Sequence, residues 1–227
     1  MFLLDELFNL SEFTFKEIFA GIEYPWDVLR IISKFIDGSG LNGVNSSVPE
    51  GAHIIGEPVY IGKNCRIEPN TYIEAPAIIW DGVQIRSGAY IRGSVIVDSG
   101  TVVGHSTEVK NSILMRNVEA PHFNYVGDSV MGNRSHTGAG VILSNFKISE
   151  DKCVKVKIGG DVYDTGLDKF GALVGDDVQI GCNCILSPGT IIGKSTMIYA
   201  LSLISGYIPP DKIVKNKPEY IQVDKKK

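Results

Sequence analysis

The sequence predicts an all-β fold: a parallel β-helix with a small N-terminal helical segment and an inserted β-hairpin. Three observations predict it. Aliphatic residues recur every six positions along most of the chain, isoleucine outnumbers leucine 28 to 13, and glycine reaches 25 of 227 residues. β-Branched side chains suit pleated surfaces, and glycine above its usual ~7% signals many tight turns. Six of the leucines fall within the first 41 residues, which places the helical segment at the N-terminus.

Residues 1–50 read as a helical head and linker. Thr14 to Phe19 and Trp26 to Ile36 carry apolar residues at helical spacing, Phe15/Ile18/Phe19 and then Val28/Leu29/Ile32/Phe35. A turn at Glu23-Tyr24-Pro25 separates them, because proline disfavours helix for the residue before it. Tyr24 and Trp26 read as head core rather than as a sugar platform. The stretch from Asp37 to Pro49, dense in Gly, Ser and Asn, reads as a linker. The head is expected to cap the β-helix, whose first coil would otherwise expose a strand edge.

Residues 51–206 carry the repeat. Ile55, Ile61, Ile67, Ile73, Ile79, Ile85, Ile91, Val97, Val103 and Val109 are evenly spaced by six, and the series resumes with Val174, Ile180, Leu186, Ile192, Ile198 and Ile204. Four residues after each comes a smaller or modest side chain, from Val59, Cys65 and Thr71 through to Ile113, and again from Val178 to Ser202. A six-residue period without helices means short strands joined by tight turns. Both the aliphatic and its i+4 partner are expected to point inward. Between about 147 and 172 the period breaks. There Val154, Val156 and Ile158 alternate with lysines before Gly159-Gly160 and Asp161 to Asp164, which predicts a hairpin projecting from the body. Residues 207–227 read as a tail ending in solvated lysines.

Composition narrows the function. Lys plus Arg is 22 against 26 acids, a net charge of -4, which argues against a nucleic-acid surface. No apolar run reaches bilayer length, and the opening MFLLDELF breaks on Asp5 and Glu6, unlike a signal peptide. The expectation is a cytoplasmic protein without a membrane partner. Cys65, Cys153, Cys182 and Cys184 fit no disulfide framework or paired zinc pattern, and no metal site is expected. The period places Cys184 in the core and turns Cys182 outward.

The repeat resembles hexapeptide repeats in which three units make one coil of a left-handed triangular prism. On that arithmetic Arg92 and Lys110, eighteen residues apart, stack on neighbouring coils. Parallel strands lie about 4.8 Å apart, so the two cations repel unless Glu74 or Glu108 neutralises them, or unless the pair grips a phosphate. Both readings stand on spacing alone.

One segment exceeds a generic repeat: Ala120-Pro-His-Phe-Asn-Tyr-Val-Gly-Asp128, then Thr137-Gly-Ala-Gly140 and Ser144-Asn-Phe146. It resembles the acetyltransferase domain of bifunctional glucosamine-1-phosphate acetyltransferase/N-acetylglucosamine-1-phosphate uridylyltransferases. The insertion resembles that of archaeal sugar-phosphate enzymes, and the resemblance covers about residues 85–218. It implies His122 as general base, Arg92 and Lys110 as phosphate-binding cations, and Tyr125, His136 and Lys169 as substrate contacts. It also implies that Ala139 supplies a backbone N–H near the acetyl carbonyl, that Asn145 and Phe146 flank the thioester, and that Cys182, Ala200 and Lys217 touch coenzyme A, with Lys215 as a gap-shifted option. Acetyl-CoA is the implied co-substrate, an amino-sugar phosphate the acceptor, and a homotrimer the assembly. No metal is required.

The departures are His136, where an Asn is usual, Cys182 for Ser and Phe146 for Tyr. The nucleotidyltransferase signature is missing from the short head, so a separate nucleotidyltransferase is an open partner. Two other readings remain: a non-catalytic β-helix that binds a sugar nucleotide or a partner, and acetylation of a nucleotide-linked amino sugar.

Overall fold

The computed structural model describes residues 4–217, 221 and 223–225. Among them, three parallel sheets of nine, eight and eight strands form the faces of a solenoid. One coil runs from Val59–Ile61 in the first sheet to Arg66–Ile67 in the second and Tyr72–Glu74 in the third, then returns to Ala77–Ile79. This is the parallel β-helix that the six-residue period predicts, consistent with left-handed winding. Asparagines such as Asn64 (φ 58°), Asn70 (φ 62°) and Asn183 (φ 54°) take left-handed backbone at the corners, where a short polar side chain is tolerated.

The inward ladder is continuous. Ile61, Ile79, Val97, Leu114, Met131, Val174 and Ile192 pair in register from coil to coil and are all fully buried. Two members of the expected series are misplaced. Ile55 pairs with Glu74 and lies 48% exposed, while Ile54 pairs with Ile73 and faces the core. The step there is nineteen residues, and a one-residue slip exchanges the two faces of a strand. Ile113 is buried but faces outward, and Leu114 takes the inward place. The coil between Val97 and Leu114 has seventeen residues, one short of three hexapeptides.

The head differs more. Helical spacing is present, but the elements are short: helices Leu4–Leu7 and Ile32–Gly38, and 3-10 turns Leu10–Glu12, Lys16–Phe19 and Pro25–Arg30. The expected Trp26–Ile36 helix breaks at Ile31 (φ -115°, ψ -2°). The head does not form a plug over the first coil. It lies along the first sheet, packing against the outward residues Ile78, Ile96, Ile113, Val130, Leu173 and Ile191. The linker instead covers the first edge, since Gly43–Val44 pairs with Tyr60–Ile61.

Polar contacts fix this strap. Thr14 donates its N–H and hydroxyl to Asp98 (2.9 and 2.7 Å), and the Asn9 N–H donates to Asp176 (2.6 Å). Arg134 bridges Glu12 and Asp177. Burial raises the Asp176 carboxyl above its ordinary pKa, against hydrogen bonds from Asn9 and Asn133 that pull it down.

The insertion forms the expected hairpin, Lys155–Ile158 against Asp161–Asp164. It does not project freely. Alternation puts Val154 and Val156 on one face, and both are buried in the head's apolar cluster with Phe170. Trp26, buried as head core, meets Tyr163 and Phe170 at 6.2 and 6.3 Å between ring centroids. Cys184 is buried and Cys182 exposed, as the period requires. Burial raises the Cys184 thiol pKa, which suits packing rather than reactivity. Among the described residues no helix is long and apolar enough to cross a membrane.

Candidate active site

The outer face of the third sheet carries the charged residues. Coil by coil, its strands present Tyr72 and Glu74, then Tyr90 and Arg92, then Glu108 and Lys110, then Tyr125 and Gly127. Arg92 and Lys110 therefore stack on neighbouring coils, as their spacing predicts.

Each cation is balanced by a carboxylate. Arg92 donates to Glu108 at 2.6 Å, and this bond holds the guanidinium firmly charged. Lys110 reaches Asp128 at 3.2 Å. Asp128 is 4% exposed and also accepts hydrogen bonds from Asn111 and Asn145. It is thus the buried anchor of the site, fixing one cation and two amides. Asp128 closes the motif that begins at Ala120, and the resemblance implies no task for it. Lys110 pairs in register with Gly127, so this coil has seventeen residues and Asp128 reaches Lys110 from the corner that follows.

Close approach makes the motif glycine necessary. A Cβ on Gly127 would lie 2.6 Å from the Tyr125 hydroxyl oxygen and 2.8 Å from Asn145 Nδ2. Burial and the negative charge of Glu108 raise the Tyr125 pKa, so its hydroxyl keeps its proton.

The insertion brings a third cation. Where the repeat breaks, Phe146 bridges Lys169 in antiparallel register, and the Phe170 N–H donates to the Asn145 carbonyl at 3.0 Å. Phe170, fully buried against the head, anchors the strand that carries Lys169. A cavity of about 280 Å³ results, lined by Arg92, Lys110, Tyr125, Asn145, Phe146 and Lys169. Six of the expected residues meet in it. Lys152 lies over the Phe146 ring, 4.7 Å from its centroid.

Three other expected residues line a second, more apolar cavity of about 320 Å³ on the second sheet: His136, Cys182 and Ala200. Ala139 sits on the turn beside it, its carbonyl accepting from the Asn183 N–H. Lys215 lies 5.9 Å from the Tyr199 ring at the next corner, and Lys217 is exposed two residues further on. His122 ends a strand of the second sheet, exposed, directly above His105. It stands across the corner from Tyr125, and neither cavity has it in its wall. The single chain therefore arranges the expected residues as a cation cavity, a corner histidine and an apolar groove.

Comparison with known proteins bears on the fold and the repeat. No family model matches the chain. It is 35% identical over 211 residues to the "Bifunctional protein GlmU" of Methanococcus maripaludis, covering 93% of this chain and 50% of that one. It is 33% identical over 191 residues to the "Bifunctional sugar-1-phosphate nucleotidylyltransferase/acetyltransferase" of Sulfurisphaera tokodaii, covering 84% and 47%. The fold matches the solved UDP-N-acetylglucosamine acyltransferase from Campylobacter jejuni with a TM-score of 0.52 at 15% identity, over 72% of this chain and 69% of that one. Fold and repeat define a hexapeptide-repeat parallel β-helix protein. The chain is similar to these GlmU and sugar-1-phosphate nucleotidylyltransferase/acetyltransferase proteins, and it spans about half the length of these relatives.

Proposed function

We propose that the protein transfers an acetyl group from acetyl-CoA to the amine of an amino-sugar 1-phosphate, with glucosamine-1-phosphate as the acceptor. The observation that carries this reading is the cation cavity, where Arg92, Lys110 and Lys169 converge beside Tyr125 and Asn145. Three cations against two carboxylates leave room for an anion, and stacked cations suit a phosphate.

In this reading the phosphate fixes the sugar, so that its amine lies near the corner carrying His122. His122 takes a proton from the amine as nitrogen attacks the thioester carbon. The C–N bond forms, the C–S bond breaks, and the departing thiolate takes up a proton. An amine attacks a thioester without an acyl-enzyme intermediate. The Ala139 N–H would meet the developing oxyanion. The groove of Cys182 and Ala200 would hold the pantetheine arm, with Lys215 or Lys217 toward the coenzyme A phosphates.

His122 and the two cavities lie on either side of one corner, so a neighbouring prism packed along that corner would enclose them. A homotrimer provides that neighbour. GlmU-like relatives are bifunctional by name, and a nucleotidyltransferase acting on the product is the reaction partner this reading calls for.

Thiol release with acetyl-CoA and glucosamine-1-phosphate tests the proposal. Turnover is expected, falling about 10²–10⁴-fold in His122→Ala. Absence of turnover with every amino-sugar phosphate would leave the non-catalytic reading. Full activity in His122→Ala would remove the base assignment.

A further inference from the structure

Below the phosphate-binding pair, the third sheet continues into a feature that acetyl transfer to a sugar phosphate does not use. Three rings stack along the strands. His53 lies 4.6 Å from Tyr72 at 23° between planes, and Tyr72 meets Tyr90 edge-on at 6.2 Å. Tyr72 is 44% exposed. The Tyr90 hydroxyl donates to Glu74 Oε1 at 2.8 Å, and among the described residues no group donates to Oε2. Tyr72, Glu74 and Tyr90 border a cavity of about 540 Å³ with Asn70, Gly88 and Ile55.

The cavity neighbours the proposed phosphate site on the same sheet face. Arg92 lies 5.8 Å from the Tyr90 ring centroid, and Glu74 pairs in register with Arg92. Coil order is spatial order, at about 4.8 Å per coil. The expected groups therefore follow one another in coil order around one corner: the acetyl end at the coils of Ala139 and Cys182, the sugar near Tyr125 and Asn145, the anion at Lys110 and Arg92. The next position is the tyrosine cavity. Whatever is esterified to the far side of the phosphate enters it.

We propose that this cavity is a nucleoside subsite, so that the acceptors of this site include nucleoside diphosphate amino sugars. The proposal rests on the acetyl-transfer reading for its catalytic consequence, but not for binding. Tyrosine faces and edges stack on a planar base with little preference among bases. The free oxygen of Glu74 accepts from an imide N–H of the base or from ribose hydroxyls. A diphosphate diester carries one negative charge on each phosphate, and Lys110 and Arg92, one coil apart, offer one cation to each. A sugar 1-phosphate fills the cation cavity and leaves the tyrosine cavity to water.

Two measurements test this, one independent of turnover. Calorimetry with UDP should show binding at least about tenfold tighter than inorganic phosphate, weakened about tenfold in Tyr72→Ala and restored in Tyr72→Phe. Kinetics should show a lower KM for UDP-glucosamine than for glucosamine-1-phosphate, with Tyr72→Ala raising only the former. UDP binding that Tyr72→Ala leaves unchanged overturns the subsite, as does UDP binding no tighter than phosphate. UDP binding that follows the tyrosine, without acetyl transfer to either acceptor, upholds the subsite and removes the catalytic reading instead.

Discussion

The first and third sheets are built from the same inward repeat and end in opposite fates. On the first, the outward residues Ile78, Ile96, Ile113, Val130, Leu173 and Ile191 are aliphatic, and the head and the inserted hairpin together cover them. On the third, the outward residues from Tyr72 to Tyr125 are tyrosines, carboxylates and cations, and they remain open around two cavities. The inward code sets the fold, and the outward code decides whether a face is a docking surface or a site. Apolar area removed from water stabilises by about 25 cal/mol per Å², so the covered face holds stability. The open face keeps its charges hydrated and available.

The largest contrast should appear in stability. Ile113→Ala leaves a cavity under the head and should cost about 2–5 kcal/mol by chemical denaturation. Tyr72→Ala, on the open face, should stay within about 0.5 kcal/mol. Equal costs would break the distinction between the two faces.

The two carboxylates of the cation site should separate next. Asp128→Ala removes a buried acceptor shared by Lys110, Asn111 and Asn145. It should cost about 1–3 kcal/mol and lower kcat/KM for an amino-sugar phosphate by about tenfold or more. Glu108→Ala breaks a partly exposed pair with Arg92 and should cost under about 1 kcal/mol. Matching stability losses in the two variants would show that Asp128 is no anchor.

Smaller effects belong to the head clasp. Arg134→Ala removes exposed pairs to Glu12 and Asp177 and should cost under about 1 kcal/mol, less at high salt. Asp176 offers a pH test. Its folded-state pKa is raised above the ordinary 3.8 chiefly by burial, so the folded state holds the proton to higher pH than the unfolded state. Stability from this group is therefore lost as pH rises through that window. Relative to Asp176→Asn, the wild-type protein should lose stability as the pH rises from its ordinary carboxylate range through the raised folded-state value. A difference that stays constant with pH would remove the effect.

Much of this was legible in the sequence because a repeat states the same constraint many times. Ile61, Ile79, Val97, Val174 and Ile192 could be placed inward from period alone. Ile55 and Ile113 could not, because coils of nineteen and seventeen residues shift the register at corners where no side chain announces it. The head's position was hidden for another reason. Its partner surface is one residue per coil, Ile78, Ile96 and so on, which reads as ordinary strand hydrophobicity. The cation cavity was legible in six residues, since coil spacing and motif agree. The hairpin's docking was not, because Phe170 and Val154 find the head only in three dimensions.

The central claim is that the open third-sheet face recognises the anomeric phosphate of an amino sugar for acetyl transfer. Parallel thiol-release kinetics with glucosamine-1-phosphate and with glucosamine, in the wild type and in Arg92→Ala/Lys110→Ala, test it most directly. The phosphorylated acceptor should be preferred in kcat/KM by about 10² or more, and the double variant should abolish that preference while leaving glucosamine unaffected. Equal use of both acceptors by the wild type, or a preference that survives loss of both cations, would contradict it.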